Sequence, residues 1–269
     1  MTFAHTSPRR YDIVVGADGL HSGVRRLVFS DVEAGRTDFL GAFLSVVSVP
    51  KTLARDGDST AFVDANRVAM IYTADHLDDA RAIFLFRPAA PVEYDHRDVV
   101  AQKTLLHNRF AGLAAEVDRW LEELDGTPAF YFDAITQLRL TTWSRGRVTL
   151  VGDAGYCPGP AVGGSTSLAV LGAYVLAGEM ERAGGDYTAA FAAYQQVMSE
   201  PVIGSRVLAR TMAKSIMPAS ALGVWALVAV ARLVSLLPTP ITTAVARLNN
   251  KGIRFYDSMQ VTNYPIPVG

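Results

Sequence analysis

Residues 146–183, GRVTLVGDAGYCPGPAVGGSTSLAVLGAYVLAGEMERA, decide the fold. Val148, Thr149, Leu150 and Val151 form a short apolar, mostly β-branched run, the pattern of a strand buried on both faces. The run breaks at Gly152-Asp153-Ala154-Gly155, passes Pro158, Gly159 and Pro160, and restarts at Gly163-Gly164-Ser165-Thr166 as a long Ala/Leu/Val helix. The order is strand, Gly-rich turn with one carboxylate, loop, helix start. A helix N-terminus presents unpaired N–H groups and a partial positive charge, which suit an oxygen-rich or electron-rich ligand. Asp153, just past the strand, is placed to accept hydrogen bonds from ligand hydroxyls. Taken alone, a Gly-Asp pair is more simply read as a turn with a capping carboxylate.

The same plan occurs near the start of the chain. Tyr11 to Val15 reads as a strand and Gly16-Ala17-Asp18-Gly19 as its terminal turn. Ser22 reads as the N-cap of a short helix through Val24, Arg25 and Leu27. Thr2 to His5 looks like the end of a preceding strand, with a turn at Thr6 to Arg10.

Together the two stretches resemble the class A flavoprotein monooxygenases of the para-hydroxybenzoate hydroxylase type. DIVVGADGLHSGVR (12–25) is similar to that family's DG motif and the 146–183 segment to its GD motif, in the family's order; the turn Trp143 to Val148 also fits the approach to the GD strand. The resemblance implies FAD as cofactor, with Asp153 on the ribityl hydroxyls and Asp18 and Gly19 in the second cofactor-contacting loop. Gly152, Pro158, Gly159, Gly163, Gly164, Ser165 and Thr166 would lie beside the flavin. Arg25 matches the DG motif's terminal, structural Arg. Tyr156 stands where many members have His, so no role passes to it.

The family's N-terminal G-x-G-x-x-G turn, which takes the FAD pyrophosphate, has no counterpart here. The expectation is therefore the C-terminal portion of such an enzyme. Its fold class is mixed α/β and α+β: an incomplete Rossmann-like FAD/NAD(P)-binding domain, an inserted antiparallel substrate domain and C-terminal helices. The expected boundaries are 1–36 (DG part of the cofactor domain), 37–140 (substrate domain), 141–200 (GD part and helix) and 201–269 (helical region and tail).

In the middle, Phe39–Pro50, Thr60–Ala65, Arg67–Thr73 and Arg81–Arg87 read as strands of an antiparallel sheet with one packed face. Periodicity leaves open which face Phe43, Met70, Tyr72 and Phe86 occupy. Asp95–Phe110 and Leu113–Leu124 read as amphipathic helices, and Phe130–Leu140 as the returning strand. Past the GD helix, Gly184-Gly185 is a stop and Asp186 an N-cap for the next helix. The GD helix itself, apolar nearly all round, should be buried. Pro201 is expected to open a new helix and Pro218 to interrupt it.

Residues 219–237 are nineteen mostly apolar positions with Arg232 among them. A charge at a bilayer centre costs roughly 2.5–3.5 kcal/mol. The favoured reading is a helix packed on protein, with contact at a membrane surface as the alternative.

Half of the 269 residues are apolar, enough for a sizeable core, and the net charge of -1 gives no electrostatic footprint for nucleic acid. The single Cys157 cannot make an internal disulfide, which fits a reducing, cytoplasmic setting. The five histidines, at 5, 21, 76, 96 and 107, show no metal-ligand spacing. No G-x-S-x-G elbow is present.

The resemblance implies a monooxygenase using FAD, NAD(P)H and O2 on an aromatic or polyketide-like small molecule, with no catalytic base assigned. The competing reading is a non-catalytic binding module that needs a partner to supply the pyrophosphate-binding unit.

Overall fold

The structure is a computed structural model. It describes residues 2, 5–29, 36–55, 57–90, 92, 95–160, 164–215, 217–235 and 262–264. In chain order the strands are β1 (Val14–Gly16), β2 (Thr37–Val49), β3 (Thr60–Asp64), β4 (Arg67–Tyr72), β5 (Ala80–Phe86), β6 (Phe130–Leu138), β7 (Ser144–Arg145) and β8 (Val148–Leu150). The helices are α1 (Gly23–Val28), α2 (Val99–Phe110), α3 (Ala115–Glu122), α4 (Asp153–Tyr156), α5 (Ser165–Arg182), α6 (Tyr187–Ser215) and α7 (Ala221–Ser235), with a 3-10 turn at Lys51–Leu53. The chain forms two compact units, one of residues 1–38, 136–210 and 251–269, the other of 39–135 and 211–250.

The first unit is built on a three-stranded sheet ordered β1-β8-β7. β1 and β8 run parallel, with Val14 opposite Val148 and Gly16 opposite Leu150. Its core gathers Leu138, Trp143, Leu150, Tyr156, Leu168, Val175, Phe191, Tyr194 and Met198. Helix α5 buries one stripe, Leu168, Gly172, Val175, Leu176 and Glu179, at helical spacing. Its other side leaves Val170 67% and Tyr174 40% exposed, so the expectation of a helix buried all round fails. Apolar residues lie on every side of it: Leu168, Val175 and Leu176 belong to the core, Leu171 and Met180 pack against it, and Val170 stays exposed.

The Gly184-Gly185 stop holds: both take positive φ and donate to the Glu181 and Met180 carbonyls. Asp186 caps α6 through the N–H groups of Thr188 and Ala189. α6 continues through Pro201 instead of restarting there. An internal Pro removes one hydrogen bond and costs about 3 kcal/mol. Met198, Val202 and Ala209, all buried, give one packed face on either side of the Pro and hold the helix as one rod.

The second unit is a five-stranded antiparallel sheet ordered β3-β4-β5-β2-β6. In β5 the alternation is complete: Ala80, Ala82, Phe84 and Phe86 are buried, and Arg81, Ile83 and Leu85 half-buried. The buried face packs on α2 and α3 through Leu106, Phe110, Val117 and Trp120. Phe84 meets Phe110 edge-on with centroids 5.0 Å apart. Each such large side chain stabilises the unit by roughly 1.5–3 kcal/mol on burial. Phe43 and Phe86 belong to this core, stacked at 5.3 Å.

Met70 and Tyr72 lie on the other face. There β4 and β5 pair Met70 with Ile83 and Val68 with Leu85, and β2 adds Leu44 and Val46. α2 begins four residues later than the pattern indicates, because Asp98 caps it by accepting from the Ala101 N–H at 2.9 Å.

Candidate functional site

β1 and β8 are adjacent and parallel, so the turns that follow them leave the same end of the strand pair. Ligands of open α/β sheets sit at that carboxyl end. The pairing continues past the strands: the Val151 N–H donates to the Gly16 carbonyl at 2.9 Å. Arg25, on α1, then ties the two turns together. Its Nη1 donates to the Ala154 carbonyl at 2.8 Å and its Nη2 to the Leu20 carbonyl at 2.5 Å. The DG-like and GD-like segments, more than a hundred residues apart in sequence, are thus one structural feature.

Asp18 is exposed, and its carboxylate turns toward its own helix. Oδ1 accepts from the Ser22 hydroxyl at 2.5 Å; Oδ2 accepts from the Gly23 and Val24 N–H groups at 2.7 and 3.1 Å. Ser22 is the N-cap expected from sequence and accepts from the Arg25 N–H at 2.9 Å. Burial pushes the Asp18 pKa up, but the Ser22 hydroxyl and the two N–H groups outweigh it and hold the carboxyl below its ordinary value. Gly19 follows with φ +80°, and its carbonyl accepts the Ser22 N–H.

On the other turn, Gly152 has φ +65° and begins α4. A Cβ there would be strained by the backbone and would stand 3.0 Å from the Ala169 Cβ on α5. Asp153 is half-buried, within a run from Val151 to Gly159 whose other members, Pro158 and Gly159 included, are buried. Gly163 lies outside the described residues. Gly164 takes the left-handed conformation and starts α5 with no side-chain cap and no acidic residue in the first turn. Ser165 is half-buried and Thr166 exposed. The start of an 18-residue helix is therefore left with N–H groups that no side chain of its cap satisfies.

The support beneath this turn was not legible in sequence. Tyr156 and Tyr194 are fully buried, their hydroxyls 3.0 Å apart, and Tyr194 donates to the Leu150 carbonyl at the end of β8. Trp143 packs on Tyr156 with centroids 4.8 Å apart. Burial, first, raises the pKa of both phenols, so they stay neutral as structural hydrogen-bonding groups. Cys157 is buried in the same layer, the place of an apolar filler.

A cavity of about 630 Å³ in this unit is lined by Ser144, Gly146, Tyr187, Phe191 and Gln195, next to the residues leading into β8. None of the described residues expected at the site from sequence lines it. Among the described residues, no group of three or more His, Cys, Asp or Glu could hold a metal ion. No helix among them is long and apolar enough to cross a membrane.

The residues present fit a flavin at the strand ends. They offer a half-buried carboxylate at the mouth of a buried turn, a glycine held open by close helix contact, and an uncapped helix start.

Comparison with known proteins bears on the same two segments. No family model matches the chain. An uncharacterized protein of Mycobacterium tuberculosis is 42% identical over 194 residues, 72% of this chain and 52% of that protein. A flavin-dependent monooxygenase of Legionella longbeachae is 39% identical over 189 residues, 70% of this chain and 48% of the relative. Among solved structures, tetracycline destructase Tet(55) superposes with TM-score 0.76 and 32% identity, covering 95% of this chain and 63% of its own. Klebsiella pneumoniae HpxO complexed with FAD and uric acid gives TM-score 0.56 at 25% identity, covering 75% of this chain and 51% of its own.

In sequence and fold the chain is similar to flavin-dependent monooxygenases and to FAD-binding solved structures. It spans about half the length of the curated relatives it matches.

Proposed function

We propose that this chain carries the flavin-ring and ribityl half of an FAD-dependent monooxygenase site that uses NAD(P)H and O2 on a small aromatic or polyketide-like molecule. The observation that carries the reading is the junction of the two turns: parallel β1 and β8 end together, and Arg25 of one turn donates to the Ala154 carbonyl of the other. Asp153 would accept from the ribityl hydroxyls. The first N–H groups of α5, with Ser165 and Thr166, would face the electron-rich edge of the ring. Asp18 acts through the loop it holds, since its oxygens already accept three hydrogen bonds. When bound, the flavin supplies the reduction of O2; the protein's part is binding, orientation and exclusion of water.

The second unit offers an apolar sheet face of Leu44, Val46, Val68, Met70, Ile83 and Leu85, bordered by Tyr72 and Arg81. Such a surface suits a flat ring system. The solved neighbours are consistent in kind: one is named for tetracycline, and another was crystallised with uric acid. A cytoplasmic location fits the lone buried thiol.

The second reading is a binding module completed by a partner that supplies the pyrophosphate-binding unit. It is favoured by the edge position of β1, where Val15 is 44% exposed.

The deciding experiment is purification of the chain and measurement of flavin absorbance near ~450 nm, followed by NAD(P)H oxidation. A yellow protein that oxidises NAD(P)H supports the enzyme reading. A colourless protein that gains flavin only with a partner present supports the module.

A further inference from the structure

We infer that the first unit carries a second binding site, independent of the flavin turns, for a small molecule bearing a phosphate or carboxylate oxyanion. It is a cavity of about 400 Å³ whose lining includes Arg36, Arg139, Trp143, Ser199 and Arg206. That volume suits a metabolite-sized ligand.

Among the described residues the charge around it is unbalanced. Arg36, Arg139, Arg206 and Arg210 bring four guanidinium groups to the region, and Asp38 brings one carboxylate. Asp38 is already committed: its Oδ2 accepts from Arg139 Nε at 3.1 Å and from Arg210 Nη2 at 2.7 Å. Like charges so placed repel unless an anion sits among them. Burial first, then the Arg139 charge, pull the Arg206 pKa down to about 10.

Two of the lining residues also carry a buried donor without a partner among the described residues. Trp143 is 4% exposed, and its indole N–H has no hydrogen-bond partner among the described residues. Among the described residues the buried Nε–H of Arg206 has none either, although Arg206 Nη2 donates to the Leu138 carbonyl at 2.6 Å. Buried unpaired N–H groups each cost about 1–3 kcal/mol, so such groups are normally satisfied. The guanidinium groups of the lining residues Arg36, Arg139 and Arg206 match the acceptor oxygens of a phosphate or carboxylate.

The test is titration of the full chain, by calorimetry and thermal shift, with inorganic phosphate in one arm and malonate in the other. Sodium chloride at matched ionic strength is the reference. The proposal expects saturable binding of one anion per chain in at least one arm, and the better arm distinguishes phosphate from carboxylate. Arg36 is exposed and has no ion pair among the described residues, so Arg36→Gln should fold; it should weaken binding on the order of tenfold. Arg36→Lys should recover part of the loss.

No shift beyond chloride in either arm overturns the site, as does equal affinity in Arg36→Gln. Asp31 and Glu33 precede Arg36 in sequence. If anion binding emerges only in an Asp31→Asn, Glu33→Gln variant, the cavity serves the chain's own carboxylates and the proposal fails. Flavin content does not enter any of these readings.

Discussion

Replacing Asp18 with Ala separates two roles that the sequence leaves joined. The carboxylate accepts from the Ser22 hydroxyl and from the first two N–H groups of α1. α1 has six residues, no acid in its own first turn and two arginines in its last. Asp18 is therefore the acidic cap of that helix, and α1 carries the Arg25 that joins the two turns. Loss of a helix cap costs 0.5–2 kcal/mol. Asp18 is exposed and water can take over the released donors, so the expected cost is about 1 kcal/mol, or a fall in melting temperature of roughly 2–4 °C. Asp18→Asn keeps one acceptor oxygen and should lose less.

The assay is thermal unfolding of flavin-free protein, repeated from neutral pH downward. The folded pKa of Asp18 is depressed, so its contribution is complete above the ordinary carboxylate range near ~4. It is lost as pH falls through the folded value. The gap between wild type and Asp18→Ala should close over that acid window. A flavin-free variant that melts with wild type at neutral pH, yet retains less flavin, would refute the capping role and make Asp18 a direct ligand.

Gly172→Ala should cost about 1–3 kcal/mol or more by overpacking, since its Cβ would stand 1.8 Å from the Tyr156 hydroxyl oxygen. In a Tyr156→Phe background the nearest ring atom is Cζ at 3.1 Å, so chemical denaturation should show a smaller cost there; equal costs would disprove the contact. Tyr194→Phe removes the donor to the Leu150 carbonyl and should destabilise by about 1–2 kcal/mol, checked by the same denaturation. Tyr264 donates to Glu179 at 2.6 Å, and burial, then that bond, push its phenol up to about 12. Its stabilisation is complete below the ordinary phenol value near ~10 and lost as pH rises toward the folded value. Tyr264→Phe should flatten alkaline unfolding over that window, and an unchanged slope would count against the contact.

The strands of the second unit were legible because β-branched and aromatic residues alternate along them; β3, β4 and β5 fall within a residue or two of the pattern. The Ser22 and Asp186 caps were legible for the same local reason: a short polar side chain precedes a helix-forming run. Features decided by distant packing were not. Pro201 signals a helix start, yet Met198 and Val202 on a shared buried face carry α6 through it. The composition of α5 reads as buried throughout, yet Val170 is left 67% exposed. In the site, both Gly-Asp turns stood out because glycine and a carboxylate after a strand are a local pattern. Their junction through Arg25, the Tyr156–Tyr194 prop and the Arg36–Arg139–Arg206 cavity join residues far apart in sequence, and no local pattern announces them.

The most direct test of the flavin site is fluorescence titration of flavin-free protein with FAD and, in parallel, with riboflavin, in wild type and Asp153→Ala. Riboflavin carries the ring and ribityl chain without the pyrophosphate, so it reports on the half of the site assigned to this chain. The account predicts saturable binding in wild type, weakened on the order of tenfold in Asp153→Ala by loss of a charged acceptor. Absence of saturation with either flavin, or equal affinity in the two proteins, would contradict it.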